Sequence, residues 1–353
     1  MSTSSTIRVG VIGAGGIADT QVNYLKGIAN VQVVALADVR AGVCEKMIEK
    51  NGLGAARVFH DYNALLAMKD LDAVTVCTPN AMHVDPVVKA LKSGRHVMVE
   101  KPIGMNAREG ALMCAAAKKA GKVFSIGFQH RYRPEVQYVR GLIAEGQFGD
   151  IVYARAQALR RRGIPSWGVF GQKELQGGGP MIDIGVHILE MTHYLLGKPK
   201  PLAASGTCWT YLGDRKPSAT APWGDWDWKT YTVEDLAAGF VRFEKKIALT
   251  VESSFAAHIE KDVFQTQIMG TRGGCVIGDD GLRVFMDMGG KMVNLTPSFI
   301  GSADPFKVKM QKWIDAIRGA ANESSGEDGL TIQRILDAIY TSSQKGREVA
   351  ISG

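Results

Sequence analysis

One short stretch of the sequence ends an apolar run with residues that could do chemistry. It reads VMVEKPIG and places Glu100, Lys101 and Pro102 directly after three apolar positions. Proline ends a strand because it lacks an N–H group for the ladder. In a doubly wound sheet, ligands bind outside the carboxyl ends of the strands. A strand ending here would present Lys101 to a ligand, whereas most lysines are simply solvated.

A second stretch, GGGPMIDIGVHILEMTHYLL, carries Asp183 and His187 four residues apart, on one face of a predicted helix. Oxidation of a secondary alcohol needs a group that takes the hydroxyl proton while a hydride leaves the carbon. Histidine, with an unperturbed pKa near 6.5, suits that task around neutral pH. Glu190 shares the stripe, but without a second close histidine or a cysteine set we expect no metal. His193 has the pattern of a structural residue.

A glycine-rich turn precedes these stretches. RVGVIGAGGIADTQVNYL places Gly13, Gly15 and Ala18 in a G-x-G-x-x-A pattern between an apolar strand and a helix. Such a turn brings backbone N–H groups to a pyrophosphate at the positive end of a helix. Asp38 closes the next strand, where a carboxylate accepts hydrogen bonds from ribose hydroxyls and repels a 2′-phosphate. NAD is therefore expected, and Arg40 keeps NADP open.

The elements that must position these residues divide the chain into two predicted domains. Over residues 1–127, short β-branched runs alternate with helical patterns, which indicates a parallel doubly wound sheet. Residues 128–353 carry long alternating strands and a helix near 179–196, which predicts an α+β domain with a large, open, mainly antiparallel sheet. Two late helical patterns are candidates to pack back on the first domain. Residues 213–232 read as an aromatic loop.

Composition excludes several classes of protein. The net charge of +7 is spread along the chain and interleaved with acids, which argues against nucleic-acid binding. No apolar run reaches the about 20 residues of a membrane span, and the first residues lack a secretory signal, so a cytoplasmic protein is expected. The five scattered cysteines favour reduced thiols.

Several of these motifs together resemble the Gfo/Idh/MocA oxidoreductases over nearly the whole chain. The resemblance is carried by GAGGIA, CTPNAMH, VEKPIG, GFQHRYRP, GGGPMIDIGVH and GLTIQRILDAIYTSSQKG. It implies a Rossmann domain, a C-terminal open sheet that often pairs subunits, and hydride transfer at nicotinamide. A homo-oligomer, either a dimer, a tetramer or a larger assembly, is therefore expected.

The resemblance also implies a set of site residues. Lys101 corresponds to the lysine beside the nicotinamide ribose and the substrate hydroxyl, with Glu100 holding its loop. Lys101, Asp183 and His187 carry over as catalytic residues. In our hypothesis His187 is the base, Lys101 polarises the reacting oxygen and Asp183 orients the substrate. Whether Lys101 or His187 accepts the proton first stays open. The cofactor-binding candidates are Gly13, Gly15, Gly16, Ile17, Asp38, Arg40, Thr78, Asn80, His83, Glu100, Lys101 and Gln129.

Two of these assignments have structural alternatives. Asn80 could instead cap the helix that follows it. In GFQHRYRP, Gln129 and Arg131 are expected near the nicotinamide and substrate, but a structural salt bridge is the alternative for this pair.

The stretch RRRGIPSWGVF adds substrate candidates, because the flat ring of Trp167 and the hydrogen-bond fork of Arg162 suit a sugar ring. The substrate-binding candidates are Lys101, Arg131, Arg162, Trp167, Asp183 and His187. The RRGIP-W-F pattern is similar to family members that act on glucosides, anhydrosugars or inositols, including at the sugar 3-hydroxyl. Trp223, Trp226 and Trp228 are candidates to stack on an aglycone or to seal a subunit interface.

Three functions remain open at this point. The first is an NAD-dependent dehydrogenase of a sugar, glycoside or cyclitol. The second is a redox-neutral enzyme that retains its nicotinamide and cleaves a glycoside or exchanges hydride between aldoses. The third is a non-catalytic NAD(P)-sensing regulator, against which intact Lys101, Asp183 and His187 argue.

Overall fold

The computed structural model describes residues 6–352, which divide into two compact units. The first consists of residues 6–129 with Asp304–Leu330, and the second of His130–Ala303 with residues 331–352. The first boundary therefore falls two residues after the predicted one. Residues 304–330 fall within the predicted bounds of the second domain but belong to the first unit, and they include the first of the two late helical patterns that were candidates to pack there. Within the described residues, no helix is long and apolar enough to cross a membrane.

A parallel sheet of six strands, counted over the described residues, forms the centre of the first unit, in the order β3-β2-β1-β4-β5-β6. This doubly wound order confirms the predicted Rossmann architecture. The strands are β1 (Ile7–Ile12), β2 (Val31–Ala37), β3 (Arg57–Phe59), β4 (Ala73–Val76), β5 (His96–Val99) and β6 (Phe124–Ile126). The helices are α1 (Gly16–Leu25), α2 (Val43–Asn51), α3 (Tyr62–Leu66), α4 (Val84–Lys92), α5 (Ala107–Ala120) and, from the late segment, α9 (Pro305–Ile317).

Helix α9 belongs to the first unit because its apolar face packs into that unit's core. Met310, Trp313 and Ile314 are buried in the same cluster as residues of β1, β2 and α1. Asp304 caps the helix by accepting hydrogen bonds from the backbone N–H groups of Phe306 and Lys307, at 2.9 and 3.2 Å. A segment remote in sequence thereby becomes part of the nucleotide-binding fold.

The second unit is built on a sheet of nine strands within the described part of the chain, in the order β14-β13-β12-β11-β7-β10-β9-β8-β15. Only the pairing of β10 with β7 is parallel among these described strands, so the predicted mainly antiparallel sheet is confirmed. The strands are β7 (Ile151–Leu159), β8 (Pro201–Trp209), β9 (Leu236–Phe243), β10 (Ala248–Ser254), β11 (Val263–Gly270), β12 (Gly273–Gly278), β13 (Gly281–Met288), β14 (Lys291–Leu295) and β15 (Val349–Ala350). The helices are α6 (Pro134–Ala144), α7 (Lys173–Gln176), α8 (Val186–Leu195) and α10 (Gly326–Lys345), the last of which begins in the first unit.

The two faces of the nine-stranded sheet differ. One face carries small buried residues such as Ala154 and Ala156, and α8 and α10 pack on it; Ile339 of α10 lies against Gly239. The other face carries partly exposed polar and aromatic side chains, including Tyr153 and Phe240. Residues 210–235, between β8 and β9, form no helix or strand, which confirms the predicted loop over 213–232.

Candidate active site

The glycine-rich turn links β1 to α1, and its glycines have different physical causes. Gly13 has φ of +87°, and a Cβ there would lie 2.8 Å from the backbone carbonyl of Cys77. Only glycine fits that position. Apart from its chain neighbours and the backbone of α1, a Cβ at Gly15 or Gly16 would meet no atom of residues 6–352 within 4 Å, so these two glycines leave a cradle in front of the N-terminus of α1. A pyrophosphate is the group such a cradle accepts.

Ile17 follows the cradle, is partly buried and packs on the core of the first unit. Its backbone lies in the first turn of α1, where N–H groups lack partners within the helix.

Asp38 follows β2 and is tied to this turn. Its Oδ2 accepts hydrogen bonds from the N–H group of Ala14, at 2.8 Å, and from Nη2 of Arg40, at 2.9 Å. Its Oδ1 accepts from the backbone N–H and Nε of Arg40. Burial raises the pKa of Asp38, but the hydrogen bonds from Arg40 outweigh burial and lower the pKa to about 2. The carboxylate is therefore anionic at neutral pH, and Arg40 pairs with it instead of standing free for a 2′-phosphate. This arrangement fits NAD.

The loop after β4 carries three of the predicted cofactor residues. The hydroxyl of Thr78 donates to the carbonyl of Met82 at 3.1 Å. Asn80 is buried inside a 3₁₀ turn, and the N-cap positions of that turn and of α4 are Pro79 and His83. By backbone position Asn80 is therefore the N-cap residue of neither helix, and both its cofactor role and a capping role for its side chain stay predictions.

His83 is fully buried, which changes its interpretation. Its Nδ1 lies 3.0 Å from the carbonyl oxygen of Pro102, and its Nε2 lies 3.0 Å from that of Thr78. Burial lowers the pKa of His83, so the ring is neutral and donates to one of the two carbonyls. The side chain joins the loops after β4 and β5. With no exposed surface it positions these loops, and direct contact with a cofactor is not supported.

Lys101 lies immediately beyond β5, at the carboxyl end of the parallel sheet, and its peptide bond to Pro102 is cis. Glu100 is buried beneath it. Oε1 of Glu100 accepts hydrogen bonds from Lys309 Nζ at 2.8 Å and from Gln21 Nε2 at 2.5 Å, while Oε2 accepts from the N–H of Lys101 at 3.3 Å. Burial raises the pKa of Glu100, but the charge of Lys309 outweighs it and the pKa is lowered. Glu100 is thus an anionic anchor of the Lys101 loop, and both of its carboxylate oxygens accept hydrogen bonds from other groups of the protein.

Gln129 ends the first unit, and its side chain is buried. Its Oε1 meets no hydrogen-bond donor among the described residues. Buried acceptors are rarely left without a donor, so this oxygen fits a group that the protein itself does not supply. An amide or hydroxyl of a bound cofactor meets that need, in agreement with the predicted role.

In the second unit, Asp183 and His187 lie where a π-helical turn, Met181–Gly185, runs into α8. Both side chains are partly exposed. A π turn widens the helix locally and is frequent at functional sites. The helix predicted near 179–196 is therefore present, and its first turn is π-helical instead of α-helical. The ring of His187 also lies edge-on to His130, with centroids 4.9 Å apart, and His130 was not among the predicted residues although it stands in GFQHRYRP.

Gly179 and Met181, at the start of this turn, are held by Glu234, which the sequence patterns did not single out. Its carboxylate accepts hydrogen bonds from the N–H groups of Gly179, at 2.8 Å, and Met181, at 3.2 Å, and from the hydroxyl of Tyr340, at 2.7 Å. A Cβ on Gly179 would lie 2.1 Å from the carbonyl oxygen of Glu234. Burial raises the pKa of Glu234 despite its donors. Glu234 therefore fixes where the segment bearing Asp183 begins.

The predicted arginines have other partners. Arg131 is 1% exposed, donates from Nε to Glu190 Oε1 at 2.7 Å and stacks on Tyr194. The structural salt bridge left open for Arg131 is present, with Glu190 as its partner, and substrate contact is not supported. Arg162 donates to the carbonyls of Arg161 and Ala257, so its substrate role is also unsupported.

Arg160, two residues earlier, is the arginine that lies near Asp183. It is largely buried, and burial lowers its pKa while the charge of Asp183 opposes that effect. Its guanidinium stacks on Trp223, which in turn contacts Trp167. The triplet 160–162 contained the right kind of residue, but only the packing distinguished its members.

No metal site is apparent in this part of the protein. Within residues 6–352, no group of three or more His, Cys, Asp or Glu side chains is arranged to hold a metal ion. Glu190, the third residue of the helical stripe, pairs with Arg131.

Comparisons with known proteins agree with this architecture. Residues 7–128 match the family model described as "Oxidoreductase family, NAD-binding Rossmann fold", and residues 140–351 match "Oxidoreductase family, C-terminal alpha/beta domain". The chain is 35% identical over 352 residues to D-glucoside 3-dehydrogenase of Escherichia coli, covering 99% of each chain. It is 23% identical to inositol 2-dehydrogenase of Rhizobium meliloti, covering 98% of this chain and 100% of the relative.

The fold is also that of solved structures. A levoglucosan dehydrogenase in complex with NADH superposes with a TM-score of 0.84 at 22% identity, over 99% of this chain and 100% of that one. The family resemblance drawn from the motifs is confirmed. The chain belongs to the Gfo/Idh/MocA oxidoreductase family and is an NAD-dependent dehydrogenase with a Rossmann domain and a C-terminal alpha/beta domain.

Proposed function

We propose that this enzyme oxidises the 3-hydroxyl of a glucoside and passes the hydride to NAD. The observation that carries the substrate assignment is the 35% identity to a D-glucoside 3-dehydrogenase across 99% of both chains. Relatives that act on inositol and levoglucosan, by their names, widen the expected class to cyclitols and anhydrosugars.

The cofactor residues in this proposal follow the contacts of the first unit. Gly15 and Gly16 leave the cradle for the pyrophosphate, Asp38 accepts from the ribose, and Gln129 Oε1 takes a donor near the nicotinamide. Thr78 and Asn80 line the loop after β4. Bound NAD supplies the hydride acceptor.

The acid–base residues in this proposal are those on the loop after β5 and on the π turn. His187 takes the proton of the reacting hydroxyl, Lys101 donates a hydrogen bond to its oxygen, and Asp183 orients the substrate. Glu100 supports the assignment of Lys101, because it holds the lysine's backbone in a buried network. Glu234 supports that of Asp183 and His187 by anchoring the preceding glycines.

The test is the absorbance of reduced nicotinamide when the protein and NAD or NADP meet methyl glucosides, aryl glucosides, levoglucosan and inositols. We expect a rise with glucosides and NAD, and a 3-keto sugar by mass spectrometry. His187→Asn should lower kcat by roughly 100-fold or more, while His258→Asn, at an exposed histidine outside the proposed site, should leave it unchanged.

Two results would contradict the proposal. Keto-sugar or released aglycone without net NADH, together with nicotinamide found in the denatured protein, would indicate the redox-neutral enzyme. No turnover of any substrate, with NAD binding intact, would indicate the sensor.

We further propose that the protein is a cytoplasmic homo-oligomer. The partly exposed face of the nine-stranded sheet, with Tyr153 and Phe240, supports a subunit contact. Light scattering at several concentrations measures the subunit number, and a monomer throughout would contradict this part of the proposal.

A further inference from the structure

An aromatic stack on the second unit is not used by the acid–base residues. The guanidinium Cζ of Arg160 lies 4.4 Å from the centroid of Trp223. The rings of Trp223 and Trp167 have centroids 5.4 Å apart and are inclined by 45°, and Phe170 lies edge-on to Trp167 at 6.5 Å. Trp167 is 55% exposed and Trp223 is 37% exposed. Arg160 and Trp167 thus both contact Trp223, and Trp167 is the most exposed ring of this group.

The geometry decides which surface can take a ligand ring. The gap between Trp167 and Trp223 is too small for another ring, because stacked aromatic rings need centroid separations of about 4.5 Å or more on each side. Arg160 already lies over Trp223. Trp167, which keeps more than half of its surface exposed, is therefore the platform; Trp223 packs against it, and Arg160 packs against Trp223.

The polar groups beside the stack are already bonded. The hydroxyl of Ser166 donates to the carbonyl of Trp223 at 2.6 Å, and Nη1 of Arg160 donates to the carbonyl of Gly163 at 3.1 Å. A sugar ring is recognised by apolar faces combined with fixed polar partners for its hydroxyls. A platform of ring surface whose flanking polar groups are committed suits a flat apolar group better than a second sugar.

Hydrogen bonds connect the stack to the segment that carries Asp183. The N–H of Arg160 donates to the carbonyl of Ser254 at 3.0 Å. The neighbouring Ser253 donates from its hydroxyl to the carbonyl of Pro180 at 2.8 Å. Pro180 directly precedes the π turn. Within the second unit, the platform and Asp183 are thus held on the same frame.

We propose that Trp167, supported by Trp223 and Arg160, binds the aromatic aglycone of an aryl glucoside whose sugar is oxidised beside Asp183 and His187. This inference rests on the proposed function and narrows its substrate class. A glucoside carries a group at its anomeric carbon that an enzyme for free glucose would not need to hold. The exposed ring provides the surface for that group.

The test compares kcat/KM for phenyl β-glucoside and methyl β-glucoside with NAD. We expect Trp167→Ala to lower the aryl value roughly tenfold, the size of one lost aromatic contact, and to leave the methyl value within about twofold. Trp223→Leu should lower the aryl value less, because it removes only the support. Trp209→Ala is the matched control, since Trp209 is 43% exposed at the end of β8 and outside the stack. It should leave the ratio of the two values unchanged.

An equal loss for both glucosides, or no loss for either, would overturn the proposal. A change in subunit number in Trp167→Ala by light scattering, with an unchanged aryl-to-methyl ratio, would also overturn it, because the ring would then be a subunit contact. If the wild-type protein oxidises no glucoside, the proposed function fails. Calorimetric titration with phenyl β-glucoside then tests separately whether Trp167 binds an aryl group. Binding that Trp167→Ala weakens would support it, and no binding would refute it.

Discussion

The buried ion pair beneath Lys101 leads to a quantitative prediction. Lys309 of α9 is 1% exposed, and its Nζ lies 2.8 Å from Glu100 Oε1. Gln21 donates to the same oxygen, and the hydroxyl of Thr75 donates to Oε1 of Gln21 at 2.5 Å. Lys309→Met keeps most of the side-chain volume but leaves the Glu100 carboxylate buried without its counter-ion. Removing one partner of a buried pair costs about 3–5 kcal/mol, so we expect the free energy of unfolding of the first unit to fall by about that amount.

The assay is urea unfolding followed by tryptophan fluorescence. Trp313 lies on α9 in the core of the first unit and reports on it. The companion variants are Glu100→Gln and the double variant. Removing both charges eliminates the uncompensated ion, so the double variant should be more stable than Lys309→Met.

Lys312→Met is the control on the same helix. Lys312 is 42% exposed and pairs with a partly exposed Glu323, so its loss should cost about 0–1 kcal/mol. Equal effects of the Lys309 and Lys312 variants would refute the reasoning, as would a double variant whose loss is the sum of the single losses.

The pH dependence of this pair has a definite sign. The charge of Lys309 holds the pKa of Glu100 below its ordinary value despite burial. The contribution of the pair is therefore complete above the ordinary carboxyl pKa, about 4.3, and is lost as the pH falls through the lowered folded-state value. The measurement is the urea midpoint of the wild type and of Glu100→Gln at several pH values. A difference between the two midpoints that already shrinks between neutral pH and pH 5 would contradict this sign.

Three further predictions concern the other contacts of the site. Gly13→Ala should destabilise the protein by at least about 1 kcal/mol, because φ is positive and the Cβ would meet a backbone carbonyl. Gly15→Ala should leave the urea midpoint nearly unchanged but weaken NAD binding in calorimetry. If the two variants had the same effect on the urea midpoint and on NAD binding, the cradle would be contradicted. Asp38→Ala should lower the preference for NAD over NADP in kcat/KM, and an unchanged preference would remove Asp38 from the ribose site. Because the pKa of Asp38 is about 2, its titration should not change the NAD affinity of the wild type between about pH 4 and 8. Tyr340→Phe should cost about 1.5–3 kcal/mol of unfolding free energy in urea, because the buried Glu234 loses a donor, and a loss below about 0.5 kcal/mol would show that this hydrogen bond is not needed.

Much of the first unit could be predicted because its signals are local. The alternation of apolar runs and helical patterns identified the parallel sheet, and the glycine spacing located the turn before α1. Asp38 and Lys101 were predicted at strand ends and are found there. Short-range patterns decide such features, because strand, turn and helix start are each set by a few consecutive residues.

The helix bearing Asp183 and His187 was predicted less well. Periodicity indicated the helix, but it did not indicate that the first turn is a π turn. Gly178, Gly179, the Glu234 carboxylate and Tyr340 pack around that turn, and the hydrogen bonds of Glu234 join residues 53 to 106 positions apart in the sequence. No local pattern carries that information.

Sequence alone therefore determined the family, the fold class and the NAD cofactor, and it supplied the candidate residues for acid–base chemistry. Tertiary structure alone decided the partners: Lys309 for Glu100, 209 residues apart, Glu190 for Arg131, and Arg160 rather than Arg162 as the arginine near Asp183. The physical reason is that charge and hydrogen-bonding capacity belong to the residue type, whereas burial and partner depend on which remote elements pack around it.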